Sequence, residues 1–429
     1  MAPDLAIVQA VERLGYRVTV GDVAGIAGLN INLAQQGLLN LARDAGGHLQ
    51  VAESGEIVYL FPKNLRTVVR NKFLRLRLQE WWKKVWKVLF YLIRISFGII
   101  LLLSIALITI AITIILASMN RDGDSRSDRS DSGSGMIYMP YLWVGSDWFW
   151  VFSPTYNTRY QQRRREASQL NFFEAVFSFL FGDGNPNANL EDKRFSIIAA
   201  VIRNHRGAVV AEQIAPYLDD IGEGYAREYE DYMLPVLTRF NGQPVVSPEG
   251  QIVYHFPELQ VTASKRNSTT VPDYLEELNY RFSAASSGQI MLSTSLGVLN
   301  FVGVLVLGRL LADGTAAASI GGLVAFVQLI YWLLVGYGTA FLVVPLGRYF
   351  WNGWRNGKIS DRNQKRLAFA VLLANADSVL QQKIAYAQRL AAQTVIDEDD
   401  LVYTTETDLL DQAGTSLDDE WQRRFRGSS

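Results

Sequence analysis

The segment 95–117 constrains the fold of this chain more than any other part of the sequence. It reads ISFGIILLLSIALITIAITIILA, which is 23 residues without a charged side chain. At 1.5 Å per residue, a helix of this length crosses the ~30 Å hydrocarbon core of a bilayer. A buried helix of a soluble protein would be unusual at this length and with this uniformly uncharged composition. We therefore interpret 95–117 as a transmembrane helix.

Basic and aromatic residues precede this segment. Between Lys63 and Lys87 there are nine Lys or Arg residues and one acid, Glu80. Positive charge marks the cytoplasmic flank of a span, and Trp concentrates where the membrane meets water. We interpret 63–94 as a basic amphipathic juxtamembrane segment that contacts membrane lipid from the cytoplasmic side. The residues predicted to lie at the membrane interface are Trp81, Trp82, Trp86, Lys83, Lys84 and Lys87.

A second pair of apolar segments, 289–309 and 319–347, follows in the C-terminal half. Basic residues are dense on both outer flanks, which predicts a hairpin of two transmembrane helices that begins and ends on the cytoplasmic side. Pro345 is expected to end or kink the second helix. Glycines in the pair either provide flat surfaces for close helix packing or are simply tolerated in membrane helices. These glycines are Gly321, Gly322, Gly336, Gly338 and Gly347.

The number of crossings between these segments has to be even if both basic flanks lie on one side. The segment 118–135 is polar and charge-balanced, as expected of a loop, and 136–153 is the one apolar segment available for a return. It is short and holds Pro140 and Asp147, and a charge at mid-depth costs about 3 kcal/mol. We expect a weak return span or a re-entrant segment, and the alternative is three spans. The possible intramembrane polar residues are Asp147 and its candidate partners Arg94 and Arg309.

The parts of the chain outside the apolar segments contain an internal repeat. The string GEIVYLFP at 55–62 returns as GQIVYHFP at 250–257, with six of eight positions identical. The apolar patterns of 1–62 and 191–260 both predict the order helix, strand, helix, helix, hairpin. That order resembles a winged helix whose hairpin is the wing. The expected fold is an α+β membrane protein with two winged-helix-like repeats and a small bundle of transmembrane helices.

Charge tests whether these repeats bind DNA, because phosphate neutralisation supplies much of the affinity of DNA-binding domains. Residues 1–62 contain three basic and six acidic residues, and 191–257 contain six basic and ten acidic residues. A net negative surface repels the DNA backbone. We therefore predict contact with a protein, which the sequence does not identify, and no nucleic-acid partner.

Two further segments have a clear pattern. The segment 167–187 combines an aromatic amphipathic helix with a Gly-Asp-Gly-Asn-Pro turn, and we expect it to lie on the membrane or against the bundle of spans. The segment 361–396 is predicted to be one long C-terminal helix, followed by an acidic stretch. It is either a helix that docks on the soluble domains or a tail that binds a partner.

No motif in the sequence indicates catalysis. There is no cysteine, and the three histidines lack ligand-like spacing. Phosphate-binding, serine-nucleophile and zinc-protease motifs are also missing. We therefore predict no catalytic residue, no cofactor and no metal site, and the chain is not expected to be an enzyme.

The string NFFEAVFSFLFGDGNPN at 171–187, the paired G-x-IVY-x-FP motifs and the order of spans resemble a family of uncharacterised multi-spanning membrane proteins of cyanobacteria and chloroplasts. The resemblance implies a photosynthetic membrane or chloroplast setting and no established activity. Some members carry an iron–sulfur-biogenesis label, which a chain without cysteine does not support. We expect a multi-pass integral protein of the plasma or thylakoid membrane of a cyanobacterium, with its N-terminus in the cytoplasm.

These observations favour a membrane-anchored scaffold or assembly factor that acts through acidic domains on the cytoplasmic face. One alternative is a membrane-tethered DNA-binding regulator, which the winged-helix-like order would suit. Another is a small transporter, which the scarcity of polar groups in the apolar segments disfavours. The sequence gives no indication of the oligomeric state.

Overall fold

The chain folds into two compact units, and this computed structural model describes residues 5–72, 74–122, 170–219, 221–222, 225–265, 268–312 and 320–406. The described residues form an α+β structure, mostly helical with small sheets. Unit 1 comprises Met1–Trp82, Asn187–Leu278 and Lys358–Ser429, and unit 2 comprises Lys83–Pro186 and Asn279–Gly357.

The first part of unit 1 has the helix, strand, helix, helix, hairpin order expected from the sequence. The Thr19 hydroxyl accepts a hydrogen bond from the Asp22 N–H, and the Asp22 carboxylate accepts one from the Thr19 N–H, which starts the second helix. Apolar side chains from the three helices pack around Tyr59, which is buried. The elements are α1 (Leu5–Arg13), β1 (Arg17–Thr19), α2 (Val20–Ala27), α3 (Ile31–Ala45), β2 (His48–Ala52) and β3 (Ile57–Leu60).

The juxtamembrane and apolar segments belong to one long helix. After α4 (Leu65–Lys72), the helix α5 (Leu74–Asp122) runs for 49 residues. The predicted span 95–117 is thus the interior of α5, because no proline or other break separates it from the basic stretch before it. The next described helix is α6 (Phe172–Phe181), inside the predicted segment 167–187. The segment 136–153 and most of 118–135 lie outside the described residues.

The second part of unit 1 contains a sheet with the same connectivity as the first. The strands of the first sheet lie in the order β1-β3-β2, and Val18 pairs with Tyr59. In the second sheet the order is β4-β6-β5, and Val209 pairs with Tyr254. The elements are α7 (Leu190–Asn204), β4 (Ala208–Val209), α8 (Ala211–Ile214), α9 (Tyr225–Glu228), α10 (Leu234–Phe240), β5 (Gln243–Val246), β6 (Ile252–His255), α11 (Pro257–Gln260) and β7 (Val261–Thr262).

The helices between the strands differ in length between the two parts. Helix α3 has 15 residues, whereas α10, which precedes the second hairpin, has seven. Prolines account for the interruptions, because Pro216 lies in a 3₁₀ turn and Pro235 lies in the first turn of α10, where the missing N–H is tolerated.

Two predicted boundaries in the C-terminal half are wrong. The predicted helix 319–347 is two helices, α13 (Gly322–Leu329) and α14 (Tyr331–Ala374), which follow α12 (Ser287–Leu311). Pro345 lies inside α14 and does not end it. Apolar helices tolerate proline because neighbouring groups satisfy the carbonyl it leaves free.

The predicted helix 361–396 is also divided. Helix α14 ends at Ala374, and α15 (Ser378–Leu390) begins after Asp377, whose extended backbone and side-chain cap on the Leu380 N–H start a new helix. The last residues of the predicted helix form β8 (Thr394–Val395), parallel to β7, and the acidic stretch that follows contains β9 (Leu401–Thr404), antiparallel to β2.

Three of the described helices are long and apolar enough to cross a membrane: Trp81–Met119, Ser287–Leu311 and Tyr331–Ala374. In unit 2 they pack through apolar side chains and through one buried hydrogen bond, from Asn300 Nδ2 to Ser104 Oγ at 2.7 Å. Many of their other apolar side chains are exposed, including Leu103 at 63%. Such a surface matches a lipid environment.

The glycines that permit close helix packing are mostly other than those predicted. Among the predicted five, Gly338 faces a neighbour, Asn300 Oδ1, at 3.0 Å from the position that a Cβ would occupy. The other four meet no neighbour among the described residues. Instead, a Cβ at Gly98 would lie 2.7 Å from Phe173, and one at Gly297 would lie 2.5 Å from Phe341. The close approaches therefore depend on which face of each helix meets the next, and composition does not reveal that face.

Candidate functional site

The two sheet-containing parts of unit 1 pack directly against each other. Gly21 on α2 has no side chain to separate the backbones, and a Cβ there would overlap the carbonyl oxygen of Glu258. At the end of α2, Gly28 has φ of +65°, and a Cβ there would lie 2.7 Å from the Asp192 carbonyl oxygen. Any larger residue at Gly21 would force the parts away from each other.

A buried ion pair joins the two sheet-containing parts. Asp22 is fully buried, and its carboxylate accepts hydrogen bonds from the backbone N–H of Thr19 at 3.1 Å and of Ala263 at 3.0 Å. Arg203 on α7 donates to the same carboxylate at 2.7 Å. Such a pair is strongly destabilising to break, because either partner alone would be an uncompensated buried charge.

The basic residue of α10 is also engaged inside the unit. Arg239 Nε donates to the Gly28 carbonyl at 2.6 Å, and its guanidinium lies 4.0 Å from the centre of the Phe195 ring. Asn30 Nδ2 donates to the Thr238 carbonyl at 3.0 Å. The helix that would correspond to a recognition helix in the second part is therefore held by the first part.

A buried charge cluster ties the C-terminal half of α14 to this unit. Arg366 is 1% exposed and donates to Glu277 at 2.7 Å, to Asp219 and to the Leu218 carbonyl. Arg362 donates to both oxygens of Glu277. Burial raises the pKa of Glu277, but the hydrogen bonds from Arg362 and the charge of Arg366 outweigh it and hold this pKa below its ordinary value.

A second cluster fixes α15 on the second sheet. The Lys383 ammonium group, 8% exposed, donates to Glu212 at 2.9 Å and to Glu230 at 2.5 Å. The Tyr254 hydroxyl donates to Glu230 at 2.8 Å. Burial raises the pKa of Tyr254, and the charge of Glu230 raises it further. Ala387 packs on apolar residues of the sheet below this cluster, so α15 is a docked helix in this structure.

The hairpin of the first part is covered on its outer edge. Strand β9 pairs with β2, and the Leu49 N–H donates to Thr405 Oγ1 at 2.9 Å. The edge that a winged helix would present as its wing is thus occupied by the C-terminal part of the same chain.

The outward face of α3 remains exposed and is nearly uncharged. Leu33 is 59% exposed and Leu39 is 43% exposed, although both are apolar. Arg43 is the charged residue on this face. The exposed residues of α3 are Asn32, Leu33, Gln35, Gln36, Leu39 and Arg43. We call this set the α3 face.

The structure places the predicted interface residues on the surface of α5. Trp81, Trp82 and Trp86 are all more than half exposed, and the three lysines among them are exposed as well. Their contact with lipid stays a prediction.

Two of the three possible intramembrane polar residues, Arg94 and Arg309, lie within the described residues. Arg94, one of the two candidate partners of Asp147, donates to Asp183 at 3.0 Å. Asp183 also accepts from Ser178 Oγ at 2.7 Å, so the Gly-Asp-Gly turn is anchored in unit 2. Arg309 lies exposed in the last turn of α12. Asp147 is outside the described residues. Sequence reasoning missed Asp183 as the partner because it lies in a turn and not in an apolar segment.

Among the described residues, no group of three or more His, Asp or Glu side chains is arranged to hold a metal ion. The clusters at Glu277 and Lys383 pair carboxylates with Arg or Lys inside the unit. Their geometry supports a structural role, because each charge already has a protein partner.

Comparison with known proteins gives one clear relationship. The chain is 37% identical over 432 residues to the uncharacterized chloroplastic protein At5g03900 of Arabidopsis thaliana, and the match covers 97% of this chain and 81% of that protein. No protein-family model matches the chain. No solved structure matches it either. The relationship and the three apolar helices together indicate a membrane-associated protein.

Proposed function

The chain belongs to the family of the chloroplastic Arabidopsis protein, and we propose that it is a membrane-anchored scaffold or assembly factor that works through protein contacts. Its apolar helices would anchor unit 1 at the membrane. In this proposal the protein crosses the membrane more than once and unit 1 lies on the cytoplasmic side, in agreement with the basic flanks of the spans.

We also propose that residues 1–62 and 191–260 are two copies of a winged-helix-like domain. The shared sheet order and the equivalent pairings of Tyr59 and Tyr254 support this interpretation. The short α10 is the main departure from the pattern. The duplication would give unit 1 two related domains that bury surface against each other, with one outward helix left for a partner.

The observation that carries the proposal is the α3 face. It exposes Leu33 and Leu39 beside amides and one cation, Arg43, whereas a helix that enters a DNA groove needs several cations. Apolar side chains rimmed by uncharged polar groups are typical of protein-binding surfaces. Arg239, the basic residue of α10, is engaged inside unit 1 through the Gly28 carbonyl.

Crosslinking in the native membrane tests this proposal. A photo-crosslinking amino acid at Leu33 is expected to capture one discrete protein partner, and Leu39→Glu in the same chain is expected to abolish the product. Val246 is the matched control, because it is an exposed apolar residue on β5, away from the α3 face. Equal products at both positions, or none at Leu33, would contradict a partner on this face.

A membrane-tethered DNA-binding regulator is the second candidate, since the element order of unit 1 suits it. We expect the detergent-solubilised chain not to shift duplex DNA at ~150 mM salt, because the acidic excess of both parts opposes binding. The measurement is an electrophoretic shift across a salt series. Saturable binding that weakens steeply with salt would favour the regulator over the scaffold.

A further inference from the structure

A cavity of about 450 Å³ opens in unit 1 where the two sheet-containing parts meet. That volume lies within the usual range for small-molecule sites. Its walls come from α2, from α7 and from the segments that follow β7 and α15. Its polar lining residues include Arg203, Arg206, Asn204, Thr262 and Gln393.

Arg203 provides a fixed positive charge in the cavity wall. One of its terminal nitrogens is bound to the buried carboxylate of Asp22, and a Cβ at Gly25 would lie 3.4 Å from its guanidinium carbon. Its Nε is buried and has no hydrogen-bond partner among the described residues. The Asp22 carboxylate therefore holds the guanidinium in one orientation in the cavity wall, and an arginine held in this way is pre-organised to recognise an anion.

A second arginine adds charge at the same wall. Arg206 lies three residues after Arg203, its side chain is exposed, and its backbone has φ of +54°. No acidic residue is among the described residues that line the cavity. The cavity lining therefore contains two cations, although acids outnumber bases in both sheet-containing parts. The charge of one of them, Arg203, is neutralised by Asp22.

Hydroxyl and amide groups complete the lining. Thr262 is 4% exposed, and its hydroxyl group has no partner among the described residues. Asn204 exchanges two hydrogen bonds with the backbone of Thr269, which holds the segment after β7 against α7. Gln393 contributes an amide from the segment after α15. Of these residues, Gln393 is exposed and offers an amide donor that would complement an oxyanion.

We propose that this cavity binds a small anion through a phosphate or carboxylate group, with Arg203 and Arg206 as its principal contacts. This assignment goes beyond the scaffold function and does not depend on it. Because the walls come from both parts of unit 1 and from the segment after α15, the anion binds this assembled arrangement and stabilises it. The stability of unit 1 would therefore depend on whether the anion is bound.

The test is a titration of the purified full chain with two probes, inorganic phosphate and citrate, at ionic strength held constant with NaCl. The thermal unfolding midpoint is expected to rise saturably with at least one probe. Arg206→Asn removes the cation and suits the left-handed backbone at this position, so the variant is expected to fold. It should weaken the apparent affinity about tenfold or more. Arg43→Gln, on the α3 face, is the matched control and should bind as the parent does.

The same anionic group could belong to a lipid, so a second arm uses nanodiscs of phosphatidylcholine with or without phosphatidylglycerol. If phosphatidylglycerol raises the thermal unfolding midpoint of the parent but not of Arg206→Asn, the anionic group belongs to a lipid headgroup. If phosphate or citrate raises the midpoint, the anionic group belongs to a soluble metabolite. No saturable response in either arm, or an equal response in Arg206→Asn, would overturn the proposal.

Discussion

At the scale of single residues, unit 1 depends on a few buried charges with complete sets of partners. Asp22 accepts two backbone hydrogen bonds and one from Arg203, and Glu277 accepts three from Arg362 and Arg366. Each pair joins segments far apart in the sequence. These residues fix which surfaces meet, because a charge buried out of register would lose its partners.

Replacing Asp22 should destabilise the whole of unit 1. Asp22→Ala leaves the Arg203 guanidinium and two backbone N–H groups without their acceptor, which should cost on the order of 3–5 kcal/mol of unfolding free energy. Thermal and urea unfolding of the detergent-solubilised chain measure this loss. Glu53→Ala, at an exposed acid, is the control and should change little. A loss no greater than that of the control would show that the ion pair contributes nothing.

Glu277 should make stability depend on acid. Its folded pKa lies below the ordinary value of 4.5, so its contribution is present above about pH 4.5 and is lost as the pH falls through the folded pKa. Glu277→Gln should lower the unfolding free energy by on the order of 3 kcal/mol at pH 7. The difference from the parent should shrink as the pH falls below about 4.5, as unfolding curves at each pH would show. Exposed Glu276→Gln is the neighbouring control, and a difference that stayed constant with pH would refute the linkage.

At the scale of elements, the C-terminal segments complete domains that begin much earlier in the chain. Helix α15 covers the second sheet, and β9 extends the first sheet. Lys383 lies on the same face of α15 as Leu380, Ile384 and Ala387, and a cation on an apolar face is a sequence signal for a buried ion pair. Docking of α15 therefore depends on one charged contact as well as on apolar packing.

Removing that charge should loosen α15. Lys383→Met keeps much of the apolar stem but leaves Glu212 and Glu230 facing each other without a cation. The amide hydrogens of α15 should then exchange at least about tenfold faster, as hydrogen–deuterium exchange measures. Arg389→Met, on the exposed side of the same helix, should leave exchange unchanged. Unchanged exchange in Lys383→Met would show that apolar packing alone holds the helix.

At the scale of the whole molecule, the two sheet-containing parts contact each other and so lie in one compartment. Two contacts require a shared compartment: the packing of Gly21 on Glu258, and the ion pair of Asp22 with Arg203. The candidate span in α5 lies between the two parts in the sequence. The expected return at 136–153 stays a prediction, as does the cytoplasmic location of unit 1.

Labelling in sealed vesicles tests the sidedness directly, because the natural chain has no cysteine. Single cysteines in place of Gln36 and Glu249, both exposed, should react with a membrane-impermeant maleimide from the same side. A cysteine in place of Met119, exposed near the end of α5, should react from the opposite side. Labelling of the first two positions from different sides would be incompatible with the contacts of unit 1.

The sequence by itself determined the features that depend on local composition. It predicted the apolar helices from their length and the strand and helix order of 5–60 from its period. These predictions need no tertiary information, because each depends only on residues that are close together in the sequence.

Only the tertiary structure decided the rest. The pairings of Asp22 with Arg203 and of Arg94 with Asp183 join residues 181 and 89 positions apart, and nothing local distinguishes them from other charges. The division of 361–396 and the continuation of α14 through Pro345 depend on what packs around each turn. The cavity beside Arg203 lies where two parts of the chain that are distant in sequence contact each other. No residue period or motif in the sequence predicts such a contact.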